Sequence, residues 1–530
     1  MVVRCRWLLG VEMDNALSKF LKVWIVNYLN MVKISEIVNQ NPWWKHGEDF
    51  GSYDRHLSVV KQHLIFFERK NFETSVENIY VVRGCRQVGK TTYLKMWIDK
   101  LISEGLDPKH ILYLSLDFFT SRKEMRNAVN YFLDVNREAK DLFIFLDEVT
   151  TIKEWNLELK YLWDSGITKR ANIVATGSSG AALRKKGELL PGRGLEGNEY
   201  YLKPLSFRDF VLQTIDYVRE HSEAREFYDA LRKLKNTLEK VSTHIDLDIN
   251  EMYKLLSKII PFKKELEYFF RIYLITGGFP GVINEYLRRR FAGEEGFISS
   301  ASAETFVRNV LGDVVKLGRQ ETYARQLLKE IIDKYGTRYS FSKLARDVEI
   351  THVTAIDYLE LLEQSFILTV LHAYDFNKKN VKFKGAKKVY FQDPFIFYAL
   401  KSSLTGRDIN DVIAETFEEE ESLSKIVEGV VSNHLAITQE KPVMKEKDTF
   451  LWFYYDTRGR ELDNIMKINS TFIAIETKYR SEVSFKDITR IPQVKNYIIL
   501  SKEDFGLKKN TLIAPIETFL SILDKSTHNL

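Results

Sequence analysis

Among its 530 residues the sequence has only two cysteines, Cys5 and Cys85, and ten prolines. Two cysteines cannot make a disulfide framework, and Cys85 lies inside a glycine-bounded loop where a bridge is not expected. This usage points to a reducing intracellular compartment, the cytoplasm. Long apolar runs are missing too. Val23-Trp24-Ile25-Val26 sits between Lys22 and Asn27, well below the ~20 residues a membrane span needs. Arg4 and Arg6 precede only Trp7-Leu8-Leu9, too short for a signal peptide. An excess of charge of one sign is missing as well: the net value is +5, so the total identifies no partner and local clusters must do so. Hydrophobic content of 45% and charged content of 28% are those of an ordinary globular protein. The length requires about three or four domains.

What is present is organised around Ile79-Tyr80-Val81-Val82-Arg83-Gly84-Cys85-Arg86-Gln87-Val88-Gly89-Lys90-Thr91-Thr92. A β-branched and aromatic run enters a loop bounded by Gly84 and Gly89, and a helical pattern leaves it. The match to G-x-x-x-x-G-K-[ST] is complete and stands between a strand and a helix, where its mechanism needs it. The glycines let consecutive N–H groups of Cys85, Arg86, Gln87 and Val88 face one anion. The helix from Lys90 adds unpaired donors and a positive dipole end. Lys90 is expected on the β- and γ-phosphates of ATP, and the Thr91 hydroxyl on Mg²⁺, with Thr92 following.

Three further strands are expected at Ile111–Asp117, Asp141–Glu148 and Ala171–Ser179. Apolar runs alternating with helical patterns indicate a parallel sheet covered on both faces, with ligands at the carboxyl ends of its strands. Asp147 is then placed to hold Mg²⁺ and Glu148 to polarise the attacking water. Thr176 and Ser178 end the next strand, within reach of the γ-phosphate or that water. Upstream, residues 1–30 read as an amphipathic helix, and Met1 and Met31 both stand as starts. Trp43 and Trp44 are either core or an adenine-stacking pair.

The ordered blocks Gly84–Thr92, Leu146-Asp147-Glu148-Val149, Thr176-Gly177-Ser178-Ser179, Leu190-Pro191-Gly192-Arg193, Pro204–Phe210 and Leu274–Pro280 resemble the archaeal and bacterial AAA-type ATPases that carry a C-terminal nuclease-like domain. The resemblance covers about residues 32–480. It implies that Arg193 acts on the γ-phosphate. Residues 213–270 read as a charged helical lid, and Gly277–Gly281 as a hinge.

From Tyr323 the pattern becomes three compact helices, the second capped by Ser340 and the third starting at Thr351, followed by the apolar run Phe366–Leu371. This matches a winged helix-turn-helix. Lys378, Lys379, Lys382, Lys384, Lys387 and Lys388 follow, where DNA phosphates would pass. Winged modules also serve protein partners, and Asp357 and Glu360 suit DNA poorly. The acidic stretch Glu415–Glu421 reads as a solvated linker.

In the last domain, alternation along Thr471–Tyr479 puts Glu476 and Lys478 on one face, and Asp463 lies on the strand before. Two carboxylates and an ammonium can hold Mg²⁺ and stabilise a pentavalent phosphate. The set resembles the restriction-endonuclease-like fold, with Glu428 as its helical acidic member. The fold class is therefore α/β: a helical extension (1–31), a P-loop core (32–212), a helical lid and hinge (213–320), a winged helix-turn-helix (321–400) and a nuclease-like α/β domain (401–530). The expected function is an ATPase acting on DNA through a metal-dependent nuclease. The rival is a nucleotide-dependent switch that binds DNA or a protein without cleaving. A small-molecule kinase is disfavoured, because such enzymes rarely need 300 further residues. No membrane partner is expected, and homo-oligomerisation stays open.

Overall fold

In the computed structural model, the described residues are 35–62, 65–177, 198–221, 225–245, 248–294, 298–439, 450–468, 471–526 and 529. Residues 1–34, with the expected amphipathic helix and both candidate starts, lie outside them, as do Ser178 and Arg193.

Strands β1 (Ile79–Arg83), β2 (Ile111–Ser115), β3 (Leu142–Asp147), β4 (Ala171–Gly177) and β5 (Glu199–Tyr201) form a five-stranded sheet in the order β2-β3-β4-β1-β5. Every pairing is parallel. Alternate side chains of each strand enter separate cores. Tyr80, Val82, Phe145 and Val174 pack on one face, and Ile79, Val81, Ile144, Leu146 and Ile173 on the other. Burial of both faces explains why the strands read as unbroken apolar runs. Because β4 lies between β1 and β3, the phosphate loop, Asp147 and Thr176 end side by side.

The tryptophans belong to the core, not to an adenine site. Trp43 is 1% exposed and donates its indole N–H to Ile111 O, as does Trp44. Trp44 stacks on Phe132 with ring centroids 6.3 Å apart.

The boundary expected at residue 212 falls inside a helix, Phe207–Glu220. The helices Arg225–Leu238, Ile249–Ile259, Lys263–Thr276, Pro280–Phe291 and Ser300–Lys316 follow. The segment expected to be a hinge is a buried junction. Gly278 N donates to Asp393 Oδ2 (2.8 Å), and Gly278 O accepts from Leu205 N (2.8 Å). A Cβ on Gly278 would stand 2.3 Å from Leu205 O, and Gly277 has φ +59° with Asp393 against it. Only glycine fits this close approach. Burial pushes the Asp393 carboxyl up to about 7.

Helices Glu321–Asp333, Phe341–Asp347 and His352–Gln364 lead into a hairpin, β6 (Leu368–Asp375) and β7 (Asn380–Phe391). Ser340 and Thr351 cap the second and third helices, as their sequence positions suggest. The hairpin belongs to a larger sheet with β8 (Leu451–Tyr455), β9 (Glu461–Ile468), β10 (Thr471–Thr477), β11 (Val494–Ser501), β12 (Gly506–Lys508) and β13 (Thr511–Pro515). The order is β12-β13-β11-β10-β9-β8-β6-β7, with β6 and β8 joined at Ala373 and Phe453. Residues on both sides of the division expected at 400 therefore share one eight-stranded sheet. The expected acidic linker is helical as well: Ile409–Glu418 and Glu420–Gln439 meet at Glu419, and Glu415 pairs with Arg407 at 2.8 Å.

The terminal region is fastened to the first half by buried polar contacts. His434 Nε2 accepts from Phe207 N (2.8 Å), capping an orphan N–H of that helix. Arg208 donates to the carbonyls of Leu238, Val241 and Ser521. Such satisfied buried donors are costly to break.

Candidate functional site

The first site is built at the ends of β1, β3 and β4. Gly84 is required because a Cβ there would lie 2.2 Å from Leu202 O, and Gly89 because its φ is +98°. The helix Lys90–Ser103 starts directly on the loop. Lys90 is 5% exposed, and its amine donates to Gly84 O and Cys85 O, each at 3.0 Å. Cys85 and Val88 are buried beneath the loop, and burial pushes the Cys85 thiol up to about 12, so it packs as a hydrophobe. Thr92 is half-buried on the helix's first turn.

Asp147 gathers three hydroxyls. Thr91 Oγ1 donates to it at 2.7 Å, Tyr113 Oη at 2.8 Å, and Thr176 Oγ1 donates to its other oxygen. Thr176 also accepts from Glu148 N at 3.2 Å, so it orients the acidic pair rather than standing free for phosphate. Glu148 has φ +54°, a costly backbone for a non-glycine residue and one that clusters at functional sites. Its Oε1 lies 4.0 Å from Lys90 Nζ and 3.7 Å from Arg86 Nη1. Arg86 in turn forks onto Asp313, with contacts of 2.9 and 2.7 Å. Gln87, next in the loop, has φ +61°. The Thr91–Asp147 donor set is all oxygen, which suits Mg²⁺ completed by water and phosphate. Tyr113 and Asp313 escaped sequence reasoning: each reaches the site from a distant segment and carries no local motif.

The second site lies where β9 and β10 pair. Asp463 and Glu476 are 7% and 5% exposed and interlock, Asp463 N donating to Glu476 Oε2 (3.3 Å) and Thr477 N to Asp463 Oδ2 (3.0 Å). Lys478 pairs with Glu476 at 2.7 Å. Alternation thus brings Asp463, Glu476 and Lys478 together. Burial, and then the Asp463 charge, push Glu476 up to about 8.

Lys388 also enters this cluster. It is 3% exposed, and its amine lies 2.6 Å from Glu428, 2.5 Å from Glu461 and 3.0 Å from Asp463. Glu428 further accepts from Tyr390. Two lysines expected on DNA are therefore inside the protein. Lys388 neutralises carboxylates, and Lys387 is equally buried, donating to Phe383 O and Gly385 O, with its amine held down at about 8 by burial. As neighbours on β7 they point to opposite faces, Lys388 toward Glu428 on the helix Glu420–Gln439 and Lys387 toward Phe341. Lys378, Lys379 and Lys384 remain exposed, and Lys382 is half-buried near Asp375. Among the described residues no three Asp, Glu, His or Cys side chains form a metal cage. Mg²⁺ needs only one or two carboxylates with water and phosphate, a donor set that Asp463 and Glu476 could supply in exchange for their lysine partners, Lys388 and Lys478. No described helix is long and apolar enough to cross a membrane.

Residues 76–211 match the profile of a family described as an AAA domain, and residues 268–408 that of a domain of unknown function, DUF8612. The chain is 26% identical over 465 residues to the uncharacterized protein MJ1637 of Methanocaldococcus jannaschii, covering 86% of this chain and 87% of that protein. It is 23% identical to an uncharacterized protein of Haemophilus influenzae, covering 62% and 68%. Among solved structures, the Aeropyrum pernix ORC1 protein in complex with DNA aligns at 13% identity and a TM-score of 0.30, covering 61% of this chain and 86% of that one. AMPPCP-bound DnaA from Aquifex aeolicus aligns at 16% identity and a TM-score of 0.21, covering 58% and 86%. The profile match coincides with the loop, the Thr91–Asp147 contact and Glu148: residues 76–211 are an AAA-type P-loop ATPase domain.

Proposed function

We propose that the protein binds and hydrolyses ATP with Mg²⁺ and acts on DNA, and that hydrolysis is coupled to a metal-dependent nuclease in the C-terminal sheet. The observation that carries the ATPase part is the Asp147 carboxylate joined to the Thr91 hydroxyl, with Lys90 and Glu148 within 4.0 Å of each other beside it. In this reading Lys90 leaves the loop carbonyls for the β- and γ-phosphates, and Thr91 and Asp147 hold the ion. Mg²⁺ supplies charge neutralisation at the phosphates. Glu148 orients the water, and Ser178 and Arg193 would act on the γ-phosphate. In the C-terminal site, Asp463 and Glu476 would hold a metal ion and Lys478 would stabilise charge at the scissile phosphate. The hairpin and the three helices before it would serve as a winged helix presenting Lys378, Lys379 and Lys384 to the backbone.

The nuclease reading is tested by incubating the purified protein with plasmid, branched DNA and RNA, with and without ATP and Mg²⁺ or Mn²⁺. Cleavage is expected, and Asp463→Ala and Glu476→Ala should each remove it while DNA-free ATP turnover persists. Wild type that turns over ATP yet cuts nothing defeats the nuclease. The contacts of Lys388 with Glu428, Glu461 and Asp463 favour the second reading, a nucleotide-dependent switch in which the acidic cluster is a closed ion-pair set and DNA or a protein is held without cleavage.

A further inference from the structure

We infer that Asp313 is a positioning residue for ATP hydrolysis, acting through Arg86 on Glu148; this rests on the ATPase reading above. Arg86 stands in the phosphate loop itself, two residues past Gly84. Its Nε and Nη2 donate to the two oxygens of Asp313 at 2.9 and 2.7 Å, which fixes the plane of the guanidinium. With that plane fixed, the remaining terminal nitrogen, Nη1, is directed at Glu148 Oε1, 3.7 Å away. Asp313 is 7% exposed, so solvent screens the fork weakly. The groups facing Arg86 are thus Asp313, Glu148 and, farther off, Asp117, and Lys90 faces the same Oε1 of Glu148 at 4.0 Å.

Two features make this arrangement functional rather than a surface ion pair. Arg86 precedes Gln87, and Glu148 follows Asp147, and both Gln87 and Glu148 hold left-handed backbone at φ +61° and +54°. Strained residues on both sides of the bridge need outside support to keep their geometry. The support comes from far along the chain, since Asp313 lies on the helix Ser300–Lys316. That helix packs through Phe306 on Phe279 and Phe395, ring centroids 5.6 and 5.4 Å apart, next to the Gly278–Asp393 junction. After four intervening residues, the helix Glu321–Asp333 begins the run that leads to β6 and β7. The fork therefore connects the water-orienting glutamate to the element that carries the C-terminal half.

Steady-state ATP turnover of the full chain tests this. Misplacing an orienting group by about 1 Å costs on the order of 10²-fold, so Asp313→Asn should lower kcat by roughly ten- to a hundred-fold, leaving KM within about two-fold. Arg86→Lys, which keeps charge but loses the fork, should do the same, whereas Asp313→Glu should recover most of the rate. In a Glu148→Gln background Asp313→Asn should lower the residual single-turnover rate no further, because the two act as one unit. An unchanged kcat for Asp313→Asn, a rise in KM alone, or an additive loss in the Glu148→Gln background would overturn the inference. Should Asp313→Asn fail to fold, Asp313→Glu and Arg86→Lys decide by the same criteria. A wild-type chain that turns over no ATP removes the ATPase reading itself and this inference with it.

Discussion

Lys388 Nζ lies 3.0 Å from Asp463 Oδ1, and the same amine meets Glu428 and Glu461. One buried cation thus serves three carboxylates, one of them Asp463 of the Asp463–Glu476 pair. Removing one member of such a buried set leaves uncompensated charge and costs about 3–5 kcal/mol. Lys388→Met should therefore destabilise the protein by that order at low divalent ion. Mn²⁺ should restore part of the loss if Asp463 and Glu476 accept a metal. Thermal melting with EDTA or with Mn²⁺ reads this directly. A melting temperature that responds to Mn²⁺ identically in Lys388→Met and in Lys388→Met/Asp463→Asn speaks for the closed ion-pair set.

The exposed lysines at the hairpin tip carry the DNA expectation now that Lys387 and Lys388 are accounted for inside the fold. Affinity for duplex DNA should fall by roughly 0.9 log units per released counterion for each tenfold rise in salt. Replacing Lys378, Lys379 and Lys384 together should weaken binding and flatten that slope by up to about three counterions. Replacing Lys387 should act through stability instead. A slope unchanged by the triple replacement places the DNA, or another partner, on a different surface.

His434 gives an acid-side prediction. Burial holds its imidazole down at about 4, below the ordinary value of 6.5, and its neutral Nε2 accepts the Phe207 N–H. The folded pKa lies below the unfolded one, so the unfolded chain binds more protons between the two values. The stability this histidine contributes is present above pH 6.5 and is lost as pH falls toward 4. Between pH 7 and pH 5 the loss amounts to roughly 2 kcal/mol. His434→Phe, which keeps the ring beside Tyr273, should start less stable at pH 7 yet lose about 2 kcal/mol less over that interval by urea titration. Parallel pH curves for variant and wild type would show that His434 does not titrate in this way.

Local chemistry was legible in the sequence wherever the reason for a residue is its neighbours. Gly84 and Gly89 shape one loop, Ser340 and Thr351 cap the helices they precede, and period-two alternation sets Glu476 beside Lys478. Residues whose reason is a distant segment were not legible. Tyr113 reaches Asp147 because β2 lies beside β3, and Asp313 reaches Arg86 across more than two hundred residues. The lysine run 378–388 misled because its charge suggests solvent, whereas the two faces of β7 bury Lys387 against carbonyl oxygens and Lys388 against carboxylates. Glu415–Glu421 misled likewise: Lys401 and Arg407 pair with Glu415, and the stretch is helical on both sides of Glu419. The division at residue 400 was invisible as a shared sheet, since one strand pair, Ala373 with Phe453, joins its two parts.

The central claim, that Lys90, Thr91, Asp147 and Glu148 form a working hydrolysis site, is tested most directly by counting nucleotide on the purified protein. Wild type, Lys90→Ala and Glu148→Gln are each incubated with ATP and Mg²⁺, separated from free nucleotide, and the bound species quantified over time. Wild type should convert ATP to ADP, Lys90→Ala should retain neither, and Glu148→Gln should retain ATP unhydrolysed. Hydrolysis at the wild-type rate by Glu148→Gln, or undiminished ATP binding by Lys90→Ala, would contradict it.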